Sequence, residues 1–264
     1  MEAALDEIEF LARSKNRVEV LRLLAADGHT RGRLGEATGA SQATLGRILE
    51  DFTERSWVRR EGNEYVATAT GTLVAEGIDG LLGILETEAK LRSVVKYLPA
   101  EAMAFDLRRL ADATITVPSR TRPSAPLQRV LEAMGDADRL RVFSHAFNEQ
   151  SLDVAHRRVT AGDGTFEGVF SKNAIAVLAE DETLWGKLTS LAEADGAEIR
   201  VRNDGVPLAV TVVDGTVHLL VRDGNGLVQA SIDTDDAAVR SWAVETFERY
   251  WRTSTPLDPD AFEG

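Results

Sequence analysis

Two stretches with helical periodicity, RGRLGEA and SQATLGRILEDFTERS, are joined by only about three residues centred on Gly39. So short a connection turns the second helix across the first. Thr30 and Ser41 stand where a side-chain oxygen can accept a backbone N–H at each helix start. In the second stretch Leu45, Ile48, Leu49 and Phe52 recur at helical spacing and face inward. Upstream, Leu5, Ile8, Leu11, Val18, Leu21 and Leu24 repeat that spacing over two consecutive segments, and Gly28 is expected to close them in a left-handed conformation. Downstream, Trp57–Arg60 and Tyr65–Ala67 read as strands around Glu61-Gly62-Asn63-Glu64, a glycine-containing hairpin. Three helices followed by a β-hairpin make a winged helix-turn-helix over residues 1–68.

With its apolar residues turned to the core, the third helix puts Ser41, Gln42, Thr44 and Arg47 on the outer face near its N-terminus. A recognition helix presents base-reading side chains there. Gln and Arg match adenine and guanine edges with two hydrogen bonds each, and Ser and Thr reach bases or phosphates. Arg31 and Arg33 are expected to flank the groove as phosphate contacts, with Arg59, Arg60 and Asn63 on the wing. The expected partner is double-stranded DNA.

Charge complicates that expectation. The chain carries 43 acidic and 30 basic residues, a net charge of −13, and only five of the basic residues are lysines. Residues 1–68 hold ten basic and twelve acidic side chains, so most of the excess acid lies beyond them. This is not the broad basic patch usual in a DNA-binding domain. Acid excess with few lysines fits a salt-loving cytoplasm, where a hydrated carboxylate surface keeps proteins soluble. Six phosphate contacts would give a log–log salt slope of about −5, so binding at high salt has to lean on base edges and DNA shape. The opening MEAALDEIEF lacks the features of a signal peptide, and no apolar run reaches the ~18 residues of a membrane span. A cytoplasmic protein is expected, with no membrane association.

Residues 69–98 read as one long helix. Its seam of Val74, Ile78, Leu81, Leu85, Leu91, Val95 and Leu98 is spaced by fours and threes, interrupted at Glu88. We read it as a dimer helix that spaces two winged helices over a two-fold site. A linker helix packed on its own chain would show the same spacing.

Residues 104–252 alternate strands and helices, which predicts an α/β domain with parallel strands in its first half and an antiparallel meander in its second, hence a mixed sheet. The overall class is α/β (α+β counting the winged helix). Residues 253–264 read as a frayed acidic tail. Ligands in such sheets bind beyond the carboxyl ends of the strands. Those positions hold Ser144, His145 and Asn148, then Ser171, Lys172 and Asn173, then Arg200, Arg202 and Asn203. They would suit a small anionic or polyhydroxylated ligand.

The opening LDEIEFLARSKNRVEVLRLL, the helix SQATLGRILEDFTERSWV and the block KLRSVVKYLPAEAMAFDLRRLADATITVPS resemble archaeal, particularly haloarchaeal, transcriptional regulators. These join a winged helix to a methanogenesis-regulatory-protein middle domain. The resemblance implies a DNA-binding regulator whose second domain senses a signal and is similar to the phospholipase D-like ligand domain of the TrmB sugar regulators.

That likeness raises phosphodiester chemistry, which needs a His-x-Lys pair for the nucleophile and the phosphate oxygen. The four histidines read His29-Thr-Arg, His145-Ala-Phe, His156-Arg-Arg and His218-Leu-Leu, and none fits. With no cysteine, no clustered histidines and no phosphate-cradling loop, neither metal nor cofactor nor enzyme activity is expected. The expectation is a dimeric, ligand-responsive regulator. The alternative is an effector-independent DNA-binding protein whose second domain dimerises or recruits another protein.

Overall fold

The computed structural model describes residues 1–262 and divides the chain into two compact units that part after Glu86. The first contains α1 (Glu2–Ala12), α2 (Lys15–Ala26), α3 (Arg31–Thr38), α4 (Gln42–Glu54), β1 (Val58–Glu61) and β2 (Glu64–Ala67). Most of α5 (Ala69–Leu91) belongs to it as well. Four helices rather than three precede the ribbon, because the leading periodic stretch breaks at Ser14, which takes an extended backbone ahead of α2.

The turn between α3 and α4 forms as its residues dictate. Gly39 ends α3 at φ 68°, and the Ser41 hydroxyl accepts the Thr44 N–H at the start of α4. Leu11, Val20, Leu21, Leu24, Leu34, Leu45, Ile48, Leu49 and Phe52 close on Trp57, Val58 and Ile78. Leu5 and Ile8 differ from expectation at 58% and 42% exposed, because α1 turns only the face around Phe10 and Leu11 to this core. Gly28 differs too. It takes no positive φ but lets α2 approach the wing, where a Cβ would meet Val66 at 3.1 Å.

At the start of α5, Thr68 donates its N–H to the Trp57 carbonyl and its hydroxyl to that of Ser56. A Cβ on Gly71 would overlap the same Trp57 oxygen, so glycine is required for this close approach.

The second unit opens with short 3-10 turns and then forms β3 (Thr114–Thr116), α6 (Ala125–Gly135), β4 (Arg139–Ser144), α7 (Glu149–Ala161) and β5 (Thr165–Ser171). It continues through α8 (Lys172–Ala179), α9 (Glu182–Glu193), β6 (Ala197–Arg202), β7 (Ala209–Val213), β8 (Thr216–Arg222), β9 (Val228–Thr234), α10 (Ala237–Arg252) and β10 (Thr255–Pro256). The sheet order is β10-β6-β5-β4-β7-β8-β9-β3. Strands β4, β5 and β6 run parallel, and every other pairing is antiparallel. The mixed sheet expected from the alternation is the one observed. Asp214 and Gly215 both take positive φ in the turn between β7 and β8, as a two-residue hairpin demands.

Side chains alternate between two apolar layers. On one face Phe143, Val169, Val210 and Leu219 pack against Trp242, Phe247 and Tyr250 of α10. On the other, Leu140, Phe166, Phe170, Ile199 and Leu220 pack beneath α6, α7, α8 and α9. The segment after Trp251 is not a frayed tail over its described residues. β10 pairs antiparallel with β6, and Leu257 and Phe262 pack on the second layer. Nor does the long helix reach Leu98: it ends at Leu91, and Val95–Tyr97 is a separate 3-10 turn.

Candidate nucleic-acid interface and ligand cavity

In the first unit most arginines are already committed. Arg13, Arg17, Arg22 and Arg55 pair with Glu9, Asp51, Asp79 and Glu7. Arg31 donates to the Gln42 carbonyl, tying α3 to the first turn of α4. On the wing, Arg59 pairs with Glu61, while Arg60 donates to the Gly62 carbonyl at 3.0 Å and lies over the Tyr65 ring. Ser41 and Thr44 share a hydroxyl contact of 2.9 Å at the cap.

Among the described residues, Arg33 and Arg47 are exposed and make no side-chain hydrogen bond or ion pair, and Asn63 and Gln42 are exposed as well. The helix-turn-helix thus presents two unpaired guanidiniums, Arg33 from α3 and Arg47 from α4. An amide from Gln42 and one from Asn63 complete the set. Exposed pairs such as Arg59–Glu61 are weak enough to open toward a phosphate.

The helix seam divides. Ile78 and Leu91 are buried in the cores of their own units and Val74 packs on the first, so none of these three is on offer to a second chain. Leu81, Leu85 and Val95 are exposed, as are Leu73 and Ile84 on α5. The reason is angular: α5 turns the face of Val74, Ala75, Ile78 and Leu82 to the first core, while Leu81 and Ile84 lie to the side of that face and Leu85 lies past the core's end.

In the second unit a cavity of about 50 Å³, opening to a wider mouth, lies in the layer beneath α6, α7 and α9. Ser144 and Asn148, both predicted, line it together with Ser151, Thr211 and Arg222, against walls that include Phe147, Phe166 and Phe170. The Phe147 and Phe170 rings stack 4.0 Å apart. Gly168 leaves them room, since a Cβ there would lie 2.6 Å from Phe170 and 2.8 Å from Phe166.

Four predicted ligand residues are elsewhere. Ser171 caps α8 through the Ala174 N–H, and Lys172 is exposed at that helix start. Arg200 lies over Trp251, and Arg202 over Tyr250 while it donates to the Gly205 carbonyl. Strand alternation is the reason. Ile199 and Val201 turn to the cavity layer, so Arg200 and Arg202 turn to α10, and Ser171 is out of phase with Phe170 in the same way. The same parity identifies Arg222, in phase with Leu220 on β8, which strand-end reasoning alone passed over.

Arg222 lines the cavity half-buried. It donates from Nη1 to the Gly226 carbonyl at 2.7 Å, while its buried Nε–H has no acceptor and, among the described residues, no acidic side chain pairs with it. Burial lowers its pKa. His145 is half-buried with Nδ1 unpartnered, and its pKa is lowered by burial first and by the Arg222 charge second. On the same sheet face, His218 Nδ1 sits 2.8 Å from Asp233, which also accepts from Arg129 at 3.1 Å.

Comparison with known proteins agrees with this two-part organisation. Residues 5–90 match the HVO_A0261 N-terminal domain, and residues 123–253 match the middle domain of the methanogenesis regulatory protein FilR1. No curated protein matches. Among solved structures, TrmBL2, an archaeal chromatin protein described with a novel mode of DNA binding, is 15% identical with a TM-score of 0.43, covering 96% of this chain and 99% of its own. The chain is also similar to Nuc of Salmonella typhimurium, a phospholipase D family member (15% identity, TM-score 0.43), over 55% of this chain and 98% of that one. NucT of Helicobacter pylori gives 10% identity and a TM-score of 0.44 over the same shares. The chain therefore joins an HVO_A0261-type N-terminal domain to a middle domain of the FilR1 methanogenesis-regulatory-protein kind, and the two together account for most of its length.

Proposed function

We propose that the chain is a sequence-specific DNA-binding regulator that acts as a dimer and whose α/β unit senses a small molecule. The observation that carries the DNA-binding half is the state of α4. Its N-terminus is capped, its apolar face is buried, and the side chains of Gln42 and Arg47 are exposed and make no hydrogen bond among the described residues. That is the arrangement a helix needs to read base edges in the major groove. Arg33 then supplies a phosphate contact, as do Arg59 and Arg60 once released from the wing. Few free cations suit a protein adapted to high salt, because the counterion term fades there.

Dimerisation uses the apolar surface that the first unit leaves uncovered, Leu5 and Ile8 on α1 with Leu73, Leu81, Ile84 and Leu85 on α5. A second copy covering these residues would place two α4 helices on a two-fold operator. Sensing rests on the cavity beneath α7, an apolar chamber with a few converging polar groups. Phosphodiester chemistry is not part of this reading, since His218 is followed two residues on by Leu220, not lysine.

Recovery of crosslinked DNA genome-wide, with the tagged protein in a high-salt host, tests the reading. Sharp peaks sharing one inverted repeat are expected. Diffuse recovery under every growth condition would overturn it.

A further inference from the structure

The cavity in the second unit has an uneven chemistry. Its walls are apolar and largely aromatic, with Phe147, Phe166 and Phe170 held as neighbouring rings and Gly168 making the space between two of them. Two of its polar groups are engaged by the fold. The Ser144 hydroxyl bonds to Ala146, and the Asn148 carbonyl caps α7. Arg222 is the one charged side chain in the lining, and its Nε–H is buried without an acceptor.

A guanidinium half-withdrawn from water is usually matched by a carboxylate, as Arg141 is by Glu167 and Glu248 on the opposite face of this sheet. Arg222 has no such match among the described residues, and one of its donors is buried without an acceptor. His145, next in sequence to the cavity-lining Ser144, also keeps a buried ring nitrogen unpartnered but does not line the chamber. A charged fork with unmet donors, at the edge of an apolar chamber, is satisfied by an anion whose remainder is apolar.

The kind of anion follows from the number of cations. A phosphate monoester brings close to two negative charges and three oxygens, and sites that hold one gather several cations or a row of backbone N–H groups. Here one arginine lines the chamber, and burial keeps the neighbouring imidazole toward its neutral form. A planar fork meeting a single charge is the geometry of arginine with carboxylate. The stacked phenyl rings favour a flat body over a branched one.

We propose that the cavity binds a small aromatic carboxylate, with its carboxylate on Arg222 and its ring among Phe147, Phe166 and Phe170. As a regulatory event this rests on the sensing role proposed above, but the binding step can be measured without DNA.

The test uses the full chain with benzoate, phenylacetate and salicylate, each against its uncharged amide, by titration calorimetry and by the shift of the thermal midpoint. At least one acid should bind about tenfold or more tighter than its amide, the preference a charge-assisted pair confers. Arg222→Gln should erase that preference, and Arg222→Lys should keep part of it. The Nε–H resonance of Arg222 should move on addition of the acid and provides a readout even if a variant folds poorly. Equal binding of acid and amide, no binding of any of the three acids, or a preference that survives Arg222→Gln overturns the proposal. If the acid binds as expected but operator affinity does not respond, the sensing reading falls while the site stands. If operator binding is specific but no acid binds, the site falls while the regulator stands.

Discussion

The guanidinium of Arg31 occupies the space that a side chain at Gly46 would need. A Cβ built on Gly46 lies 2.8 Å from Nη2 of Arg31, the atom that also donates to the Gln42 carbonyl. Glycine inside a helix costs roughly 0.5–1 kcal/mol relative to alanine, so here it makes room for a clasp between α3 and α4. Gly46→Ala alone should therefore change stability little, because the helix gain is offset by loss of the clasp. In an Arg31→Ala background the same substitution should stabilise by about 1 kcal/mol. A double-mutant cycle by denaturant unfolding measures this, and simple additivity of the two changes would refute the clasp.

Gly71 meets backbone rather than a mobile side chain. Its added Cβ would run into the Trp57 carbonyl oxygen, which also accepts from Thr68. Gly71→Ala should destabilise the first unit by roughly 2 kcal/mol or more, whereas Gly77→Ala, with open space around it, should stabilise. Both can be read from urea midpoints at constant m-value.

Arg47→Ala should weaken operator binding by about 1–3 kcal/mol and relax preference at one base position. Arg33→Ala should weaken all sequences alike and lower the salt slope by about 1. Fluorescence anisotropy titrations against operator and scrambled DNA at several salt concentrations separate the two behaviours. A uniform loss on Arg47→Ala would remove that residue from base reading.

Burial, with the Arg222 charge adding to it, holds the His145 pKa below its ordinary 6.5. The folded state therefore binds fewer protons at this site than the unfolded chain. The resulting contribution to stability is fully present above the unfolded pKa and is lost as pH falls through the folded one. In ring-proton NMR His145 should titrate below the ordinary histidine range. The thermal midpoint should drop less between pH 7.5 and 5 in His145→Gln than in the parent.

Removing residues 253–264 should strip β10 from the edge of β6 and uncover the surface under Leu257 and Phe262. We expect a loss of roughly 2 kcal/mol and a tendency to self-associate through the bared strand. Unfolding curves and light scattering on the truncated chain check both.

Much of this was legible because local chemistry spoke plainly. Gly39, Ser41 and the Leu45–Phe52 spacing specify the turn, the cap and the buried face of α4 without help from tertiary contacts. Asp214-Gly215 announced its hairpin in the same way. Less legible were relations that depend on partners distant in sequence. Nothing in the string says that Arg31 reaches Gln42, or that Thr255 pairs with Val201. The strand-end rule located the right edge of the sheet but ignored its two faces, which gathered Arg200 and Arg202 wrongly with Ser144 and missed Arg222. Counting residue parity along β6 and β8 would have sorted them. The seam on α5 is only half informative for a related reason: an apolar stripe records burial without saying which chain buries it, and here Ile78 and Leu91 pack on their own units while Leu81 and Leu85 stay exposed.

The pairing of β3 with β9 sets an order of events during synthesis. β3 emerges from the ribosome and must wait for residues 117–227 before its hydrogen-bonding partner exists. At ~5–20 residues per second that wait is on the order of ten seconds. The winged helix draws all its core residues from the first 78 positions and has no such wait. For that interval the nascent chain carries a finished reading head and an unfinished sheet. On the function proposed above, an interrupted product would keep the capacity to occupy DNA with no means of being told to leave it.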